Sequence, residues 1–386
     1  MQTQNVSPSC AVRLDAEAWL RLSLVPGVSP GMQRKLLDAF GTPQAVLAAT
    51  PAAITSVLRD PAVAALLAAG PSPALLTRSL RWLEDKGHHL VALLDESYPP
   101  LLREIHDPPA VLYAIGKVEL LMAPCFAVVG SRNCTLLGSR DARAFAKALS
   151  DEGLCIVSGL AMGIDAGAHR GGLEGRGCSI AVMGTGADIF YPASNRELAA
   201  QLAVEGCIIT EFPLGTPSVA ENFPRRNRLI SGLSRGVLVV EAAKRSGSLI
   251  TARMAGDQGR DVFAIPGSIH STHAKGCHEL IRDGAKLVDC ATHILEELGL
   301  VARGTEAKSV ENDAGHPHPL LDAIAFAPLT IDQIAQLTGT AAGAVCSELS
   351  VLEIDGLVES IPGGRFQRTE RRVQAPRKPA PGHVIE

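Results

Sequence analysis

Seven apolar runs of strand length, set apart by stretches long enough for helices, constrain this sequence more than any other feature. They read "HLVALLD", "FAVVGS", "CIVSG", "SIAVMG", "CIITE", "GVLVVEA" and "DVFAIPG". Most are continuous and rich in Val and Ile, the pattern of strands covered on both faces of a parallel sheet. Strand then helix, repeated from about residue 86, indicates a doubly wound, Rossmann-like α/β domain. Nearly every run ends in Gly, Ser or a charged residue. Such sheets bind ligands at the carboxyl ends of their strands, so the binding edge is readable.

The flanks follow other patterns. Residues 1–85 read as short helices, and "AWLRLSLVPGVSPGMQRKLLDAFGTPQAVLAA" has helical apolar spacing broken at "PGVSPG". This fits a helix-hairpin-helix element, whose turn amides can hold a phosphate, or a small helical docking module. The α/β domain is expected over 86–298, and a polar linker over 299–319. Over 320–370, "LTIDQIAQLTG", "TAAGAVCSELSVLEIDG" and a hairpin turned at Pro-Gly-Gly describe a winged helix-turn-helix. Its second helix, Ala341 to Asp355, has no Lys or Arg and carries Glu348, Glu353 and Asp355. Such a helix suits the major groove poorly, and protein docking or a wing contact by Arg365 and Arg368 fits better. The last stretch, 371–386, is Pro-rich and basic, the composition of a disordered tail.

Composition narrows the class of partner. Hydrophobic residues make up 46% and charged residues 20% of 386, as in ordinary soluble globular proteins. Nine cysteines without a Cys-x-x-Cys pair, and an N-terminus without an apolar core, argue for a reducing cytoplasm. Ala-rich runs are cut by proline well short of a membrane span, so no membrane partner is expected. The net charge of -4 gives no global attraction for nucleic acid. A phosphate site must therefore be a local patch.

Four stretches could form one. Gly130, Ser131 and Arg132 end a strand just before a helix and offer turn amides, a hydroxyl and a planar guanidinium. Ser158 and Gly159 end a second strand; Asp165 and His169 follow at helical spacing, and a helix cap by Asp165 with His169 packed beside it fits better than an acid–base pair. Gly184 and Gly186 open a third turn before Phe190 and Tyr191, which are stacking candidates in a chain with 4% aromatics, although core burial is the commoner fate of such rings. The fourth is "NFPRRNRLISGLSRGVLVVEAAKRSGSLIT". From Glu221 to Arg260 eight basic residues face three acidic ones, a net of +5. Arg225, Arg226 and Arg228, with Asn227, Ser246, Gly247, Ser248 and Thr251, suit a line of phosphates better than one small anion. "HSTHAKGCHELI" gathers His270, His273, Cys277 and His278, but structural zinc needs four well-placed ligands without spare flexibility and this loop is polar and turn-like, so neither metal nor cofactor is expected.

Assembled, these stretches closely resemble the DNA-processing protein A family (DprA, also called Smf). The resemblance runs in one order over about residues 98–289, through "YPPLLREIHDPPAVLYAIG", "VGSRNCT", "SGLAMGIDAGAHRGGL", "GTGADIFYPASNREL", "TEFPLGTPSVAENFPRRNRLISGLSRGVLVVEA", "SGSLITA", "VFAIPGS" and "GCHELIRDGAKLV". It implies an extended Rossmann-like domain that binds single-stranded DNA without sequence preference. It also implies a homodimer and a partner in the recombinase RecA, loaded onto incoming strands during natural transformation. The family's Gly-Ser-Arg pocket falls on Gly130, Ser131 and Arg132, and its FPxRNR motif on Phe223 to Arg228, with Arg225 at the variable position. Its dimer contact falls on the helix around His278, Leu280 and Ile281, where His278 departs from the small polar residue common there. A non-enzymatic strand binder is thus expected. The alternative is a nucleotide-processing hydrolase on the same fold, although the Gly-Gly-x-Gly-Thr turn of such enzymes is missing.

Overall fold

The computed structural model describes residues 8–300, 320–321, 324, 328–354 and 357–368. The chain divides into two compact units, one ending at Gly304 and one starting at Thr305. Residues 301–319 of the expected linker, Asp355 and the 371–386 tail lie outside the described residues.

The first unit is built on nine strands: β1 (His88–Ala92), β2 (Val111–Gly116), β3 (Cys125–Val129), β4 (Cys155–Ser158), β5 (Ser179–Val182), β6 (Cys207–Thr210), β7 (Gly236–Val239), β8 (Asp261–Ala264) and β9 (Lys286–Leu287). Their order across the sheet is β1-β2-β6-β5-β4-β3-β7-β8-β9. All pairings from β6 to β9 are parallel, whereas β2 runs antiparallel to both β1 and β6. The chain lays β3 to β6 outward in one direction, then crosses back to place β7 on the other side of β3. Between β3 and β7 lies the topological switch point, where a crevice opens at the carboxyl ends.

The connecting helices are α7 (Pro100–Arg103), α8 (Leu136–Asp151), α9 (Ile164–Glu174), α10 (Arg196–Glu205), α11 (Asn222–Leu233), α12 (Gly247–Asp257), α13 (Lys275–Arg282) and α14 (Ala291–Glu297). They cover both faces of the sheet, which explains the continuous apolar runs. In β3, Phe126 and Val128 enter one core with Ala142, Ala146 and Leu149 of α8, and Cys125, Ala127 and Val129 enter the other. Each such fully buried Val or Phe contributes roughly 1.5–3 kcal/mol. The seven runs correspond to β1 and β3–β8. β2 and β9 were not among them: β2 is bounded by Asp107-Pro108-Pro109 and Gly116 and could have been read, whereas β9 has two residues.

Ahead of the sheet come α1 (Pro8–Ser23), α2 (Pro30–Phe40), α3 (Pro43–Ala48), α4 (Pro51–Leu58), α5 (Pro61–Ala69) and α6 (Pro73–Trp82). From α2 to α6 each helix opens on proline preceded by Ser, Thr or Asp, and in four of them that side chain caps the helix. Proline loses nothing at this position, and the cap supplies an acceptor to a free amide. The helical module shares its core with the sheet: Trp19 and Leu22 belong to the same cluster as Leu112 and Tyr113. Trp82 stacks on His88 at 4.1 Å and meets Tyr113 edge-on at 5.6 Å. Residue 85 therefore marks a change of architecture within one core. No single helix among the described residues is long and apolar enough to cross a membrane.

The second unit is the expected winged helix. It comprises β10 (Leu329–Thr330), α15 (Ile331–Thr338), α16 (Ala342–Ile354), β11 (Val358–Ile361) and β12 (Arg365–Arg368), with strand order β10-β12-β11. A capping box of Thr330 and Gln333 starts α15, left-handed Gly339 ends it, and Pro362-Gly363-Gly364 turns the hairpin. Ile334, Val345, Leu349 and Val358 form its core. Glu348 and Glu353 are exposed on α16, while the Arg368 guanidinium donates to the Leu321 carbonyl at 3.4 Å.

Candidate nucleic-acid interface

Gly130, Ser131 and Arg132 leave β3 at the switch point, and their turn is pinned from both sides. The Ser131 amide donates to the Glu241 carbonyl beyond β7 at 2.7 Å, and the Ile164 amide of α9 donates to the Ser131 carbonyl at 3.2 Å. With the backbone held, Arg132 is exposed, its guanidinium 5.1 Å from the centre of the Phe223 ring. Phe223, in the first turn of α11, also meets Tyr191 at 5.9 Å and Arg226 at 6.0 Å.

Arg226 occupies the floor. It is buried, donates to the carbonyls of Gly159 and Val182, and reaches the Asn227 side chain with Nε at 3.2 Å. One guanidinium thus ties together the ends of β4 and β5. Residue 159 has to be glycine, because a Cβ there would stand 2.4–2.5 Å from that guanidinium. Burial lowers the Arg226 pKa to about 10, which leaves it charged at neutral pH. Asp165 lies close by and accepts from the amides of Gly159 at 3.1 Å and Ala161 at 3.3 Å. Burial raises its carboxyl, and the Arg226 charge opposes that rise.

Across the crevice, Ser246 caps α12: its Oγ accepts from the Ser248 amide at 3.3 Å and lies 2.7 Å from the Ser248 hydroxyl. Asn227 donates to the Gly247 carbonyl at 3.4 Å, joining α11 to this cap. The crevice so enclosed has a volume of about 510 Å³. It combines one fixed cation, one exposed guanidinium and a capped helix end, a set suited to phosphate.

The structure brings together Gly130, Ser131, Arg132, Phe223, Arg226, Asn227, Ser246, Gly247 and Ser248 around this crevice. It places Ser158, Gly159, Arg225 and Arg228 elsewhere. The Ser158 hydroxyl is buried and donates to the Val128 carbonyl at 2.7 Å, joining β4 to β3. Gly159 stands behind the wall, under Arg226. Arg228, only 8% exposed at its side chain, pairs with the buried Glu211 carboxylate and lies 3.3 Å from Asp107. It holds α11 to the sheet from inside. Arg225 is half exposed, bridges to Glu211 at 3.3 Å and lies over the Phe212 ring at 5.2 Å. Burial pushes the Glu211 carboxyl up, and Arg228 and Arg225 draw it back.

Several other sequence readings resolve here. Asp165 and His169 do not form an acid–base pair. His169 accepts from the Leu160 amide at 3.2 Å, and its Nδ1 lies 2.8 Å from Ser179 Oγ. Both residues brace the turn after β4, and Asp165 satisfies loop amides ahead of the helix rather than within it. Phe190 and Tyr191 do not enter the core: they are 38% and 46% exposed. The histidine cluster disperses. Cys277 is buried with Sγ 3.7 Å from the Val239 and Val240 carbonyls, while His278 faces Gly267 at 3.0 Å. Leu280 and Ile281 lie on α13, partly buried against the core. Thr251, expected among the small donors after β7, also lines the crevice, and so does Asn133, which was missing from the expected site. Asn133 directly follows the Gly-Ser-Arg turn, so its position could have pointed to it.

Comparison with known proteins gives the same picture. The profile of the family described as DNA recombination-mediator protein A matches residues 89–299, and that of the DprA winged helix domain matches 305–364. The chain is 43% identical to Protein Smf of Escherichia coli (strain K12), over 74% of this chain and 79% of that protein. It is 47% identical to DNA processing protein DprA of Streptococcus pneumoniae (strain ATCC BAA-255 / R6), over 53% and 73%. The solved structure of the Streptococcus pneumoniae protein aligns with a TM-score of 0.64 at 38% identity, covering 74% of this chain and 97% of that one. The structure describing single-stranded DNA binding by DNA processing protein A from Helicobacter pylori aligns at 0.50 and 28%, covering 55% and 95%. One profile runs along the sheet and the other along the winged helix, and this chain belongs to the DNA recombination-mediator protein A (DprA/Smf) family.

Proposed function

We propose that the crevice holds the sugar-phosphate backbone of a DNA single strand without reading its sequence. Arg132 and Arg226 neutralise phosphates, the Gly130–Arg132 turn and the Ser246–Ser248 cap position the strand, and Phe223 with the exposed Tyr191 and Phe190 offers ring faces to bases. The observation carrying this reading is the charged Arg226 fixed beneath a crevice whose rim bears the exposed Arg132. The protein acts by binding rather than catalysis, as a cytoplasmic recombination mediator that protects incoming strands and helps load RecA in natural transformation. It works as a homodimer joined through α13 at His278, Leu280 and Ile281. Family membership and the strand-binding relative from Helicobacter pylori support this reading.

The test is oligo-dT affinity at 50 and 200 mM salt. With two phosphates neutralised, by Arg132 and Arg226, affinity falls roughly sevenfold over that range. An affinity indifferent to salt would overturn the proposal. Free base released from nucleoside monophosphates by the purified protein would establish the hydrolase alternative instead.

A further inference from the structure

Doubly wound sheets commonly place a pyrophosphate against the helix that follows the first strand of the switch point. In this protein that helix is α8, and its amino end already holds an anion. Thr135 caps α8 by accepting from the Gly138 amide at 2.9 Å. The Glu241 carboxylate, arriving from the end of β7, accepts from the Thr135 amide at 2.9 Å and from the Thr135 hydroxyl at 2.6 Å. The carboxylate lies flush on the helix: a Cβ on Gly138 would stand 2.4–2.8 Å from its atoms. It is mostly buried, and His273 Nδ1 is 4.0 Å away. The Thr135 and Gly138 amides are therefore satisfied from within, and a carboxylate already faces the partial positive charge of this helix end.

We propose that Glu241 is a specificity-determining residue. Its carboxylate closes the amino end of α8 to phosphate, so the crevice accepts a spaced line of phosphates and rejects free nucleotides bearing a compact diphosphate or triphosphate. A polynucleotide satisfies Arg132, Arg226 and the α12 cap with successive phosphates and has no need of α8. A compact diphosphate needs two neighbouring anion sites, and one of them is filled by a like charge. The inference rests on the single-strand reading of the crevice.

The test compares wild type, Glu241→Gln and Glu221→Gln by calorimetric titration with inorganic pyrophosphate, alongside oligo-dT binding. Glu221 is exposed at the start of α11 beside the crevice-lining Ala220 and Phe223, so its replacement removes one charge without opening a helix end. Glu241→Gln is expected to bind pyrophosphate about tenfold more tightly than wild type, and Glu221→Gln less than about threefold more tightly. The gain persists in an Arg132→Ala background, because the new contact lies at α8. Equal gains in both variants, no gain in Glu241→Gln, or a gain lost with Arg132 would each overturn the proposal. Should Glu241→Gln fail to fold, as judged by its circular dichroism melt, Glu241→Ala is read by the same criteria. Absence of oligo-dT binding by wild type would sink the single-strand reading, while the pyrophosphate comparison still decides the role of Glu241.

Discussion

Three arginines within four positions do three different jobs, and only burial separates them. Arg226 is the fixed floor charge, Arg228 is an internal tie, and Arg225 lies half outside. Arg132→Ala should weaken oligo-dT binding and shallow the salt slope by about 0.7, with an unchanged melting temperature. Arg228→Ala should instead strip the partner from the buried Glu211 carboxylate and cost about 3–5 kcal/mol of stability, read by chemical denaturation. His169 carries a pH signature. Burial, reinforced by the Arg226 charge, lowers its pKa from 6.5 to about 3. The unfolded chain therefore binds this proton more readily, so His169's contribution is complete above about pH 6.5 and is lost as pH falls toward 3, at up to about 1.4 kcal/mol per pH unit. Denaturation midpoints between pH 7 and 5 should fall more steeply for wild type than for His169→Gln. Equal slopes would place the titration elsewhere.

At the scale of elements, strands and helices were legible because each carries its own grammar. Continuous Val/Ile runs gave seven strands, and Ser/Thr/Asp-Pro pairs opened the short helices. The antiparallel β2 escaped although Asp107-Pro108-Pro109 and Gly116 mark it off, because its short run carries no alternation. The packing of α9 on α8 is also written in sequence, though not in hydrophobicity. Gly167 and Gly171 let the backbones touch: a Cβ at 171 would stand 2.1 Å from the Arg143 carbonyl oxygen, and one at 167 would stand 2.7 Å from that of Ser139. Gly171→Ala must push the helices apart and should cost about 1–3 kcal/mol or more. Because residue 171 lies on α9 away from the crevice, oligo-dT affinity of the folded fraction should be retained.

At the scale of the whole molecule, the helical module and the sheet share one core, whereas the winged helix has its own. A chain ending at residue 304 should keep the melting transition of the first unit and bind oligo-dT, since every crevice residue lies within it. Removing residues 1–85 should expose the faces covered by Trp19, Leu22 and Trp82, and lower the melting temperature of what remains. Scanning calorimetry of the two truncations checks both. An 86–300 fragment as stable as the 1–304 chain would show that the helices merely decorate the sheet.

The sequence by itself determined the architecture and the sheet edge where the crevice opens. Strand-length apolar runs and the Gly, Ser and Arg residues ending them are local signals, and local chemistry needs no partner to be read. Only the tertiary structure decided which charges face the crevice. Arg228 and Arg132 are alike on paper, but Glu211 and Asp107, 17 and 121 residues away in sequence from Arg228, draw one of them inward. The same holds for Glu241, whose carboxylate finds Thr135 across 106 residues. Pairing between distant residues sets the cost of burying a charge, and that cost determines whether the charge is left for a partner.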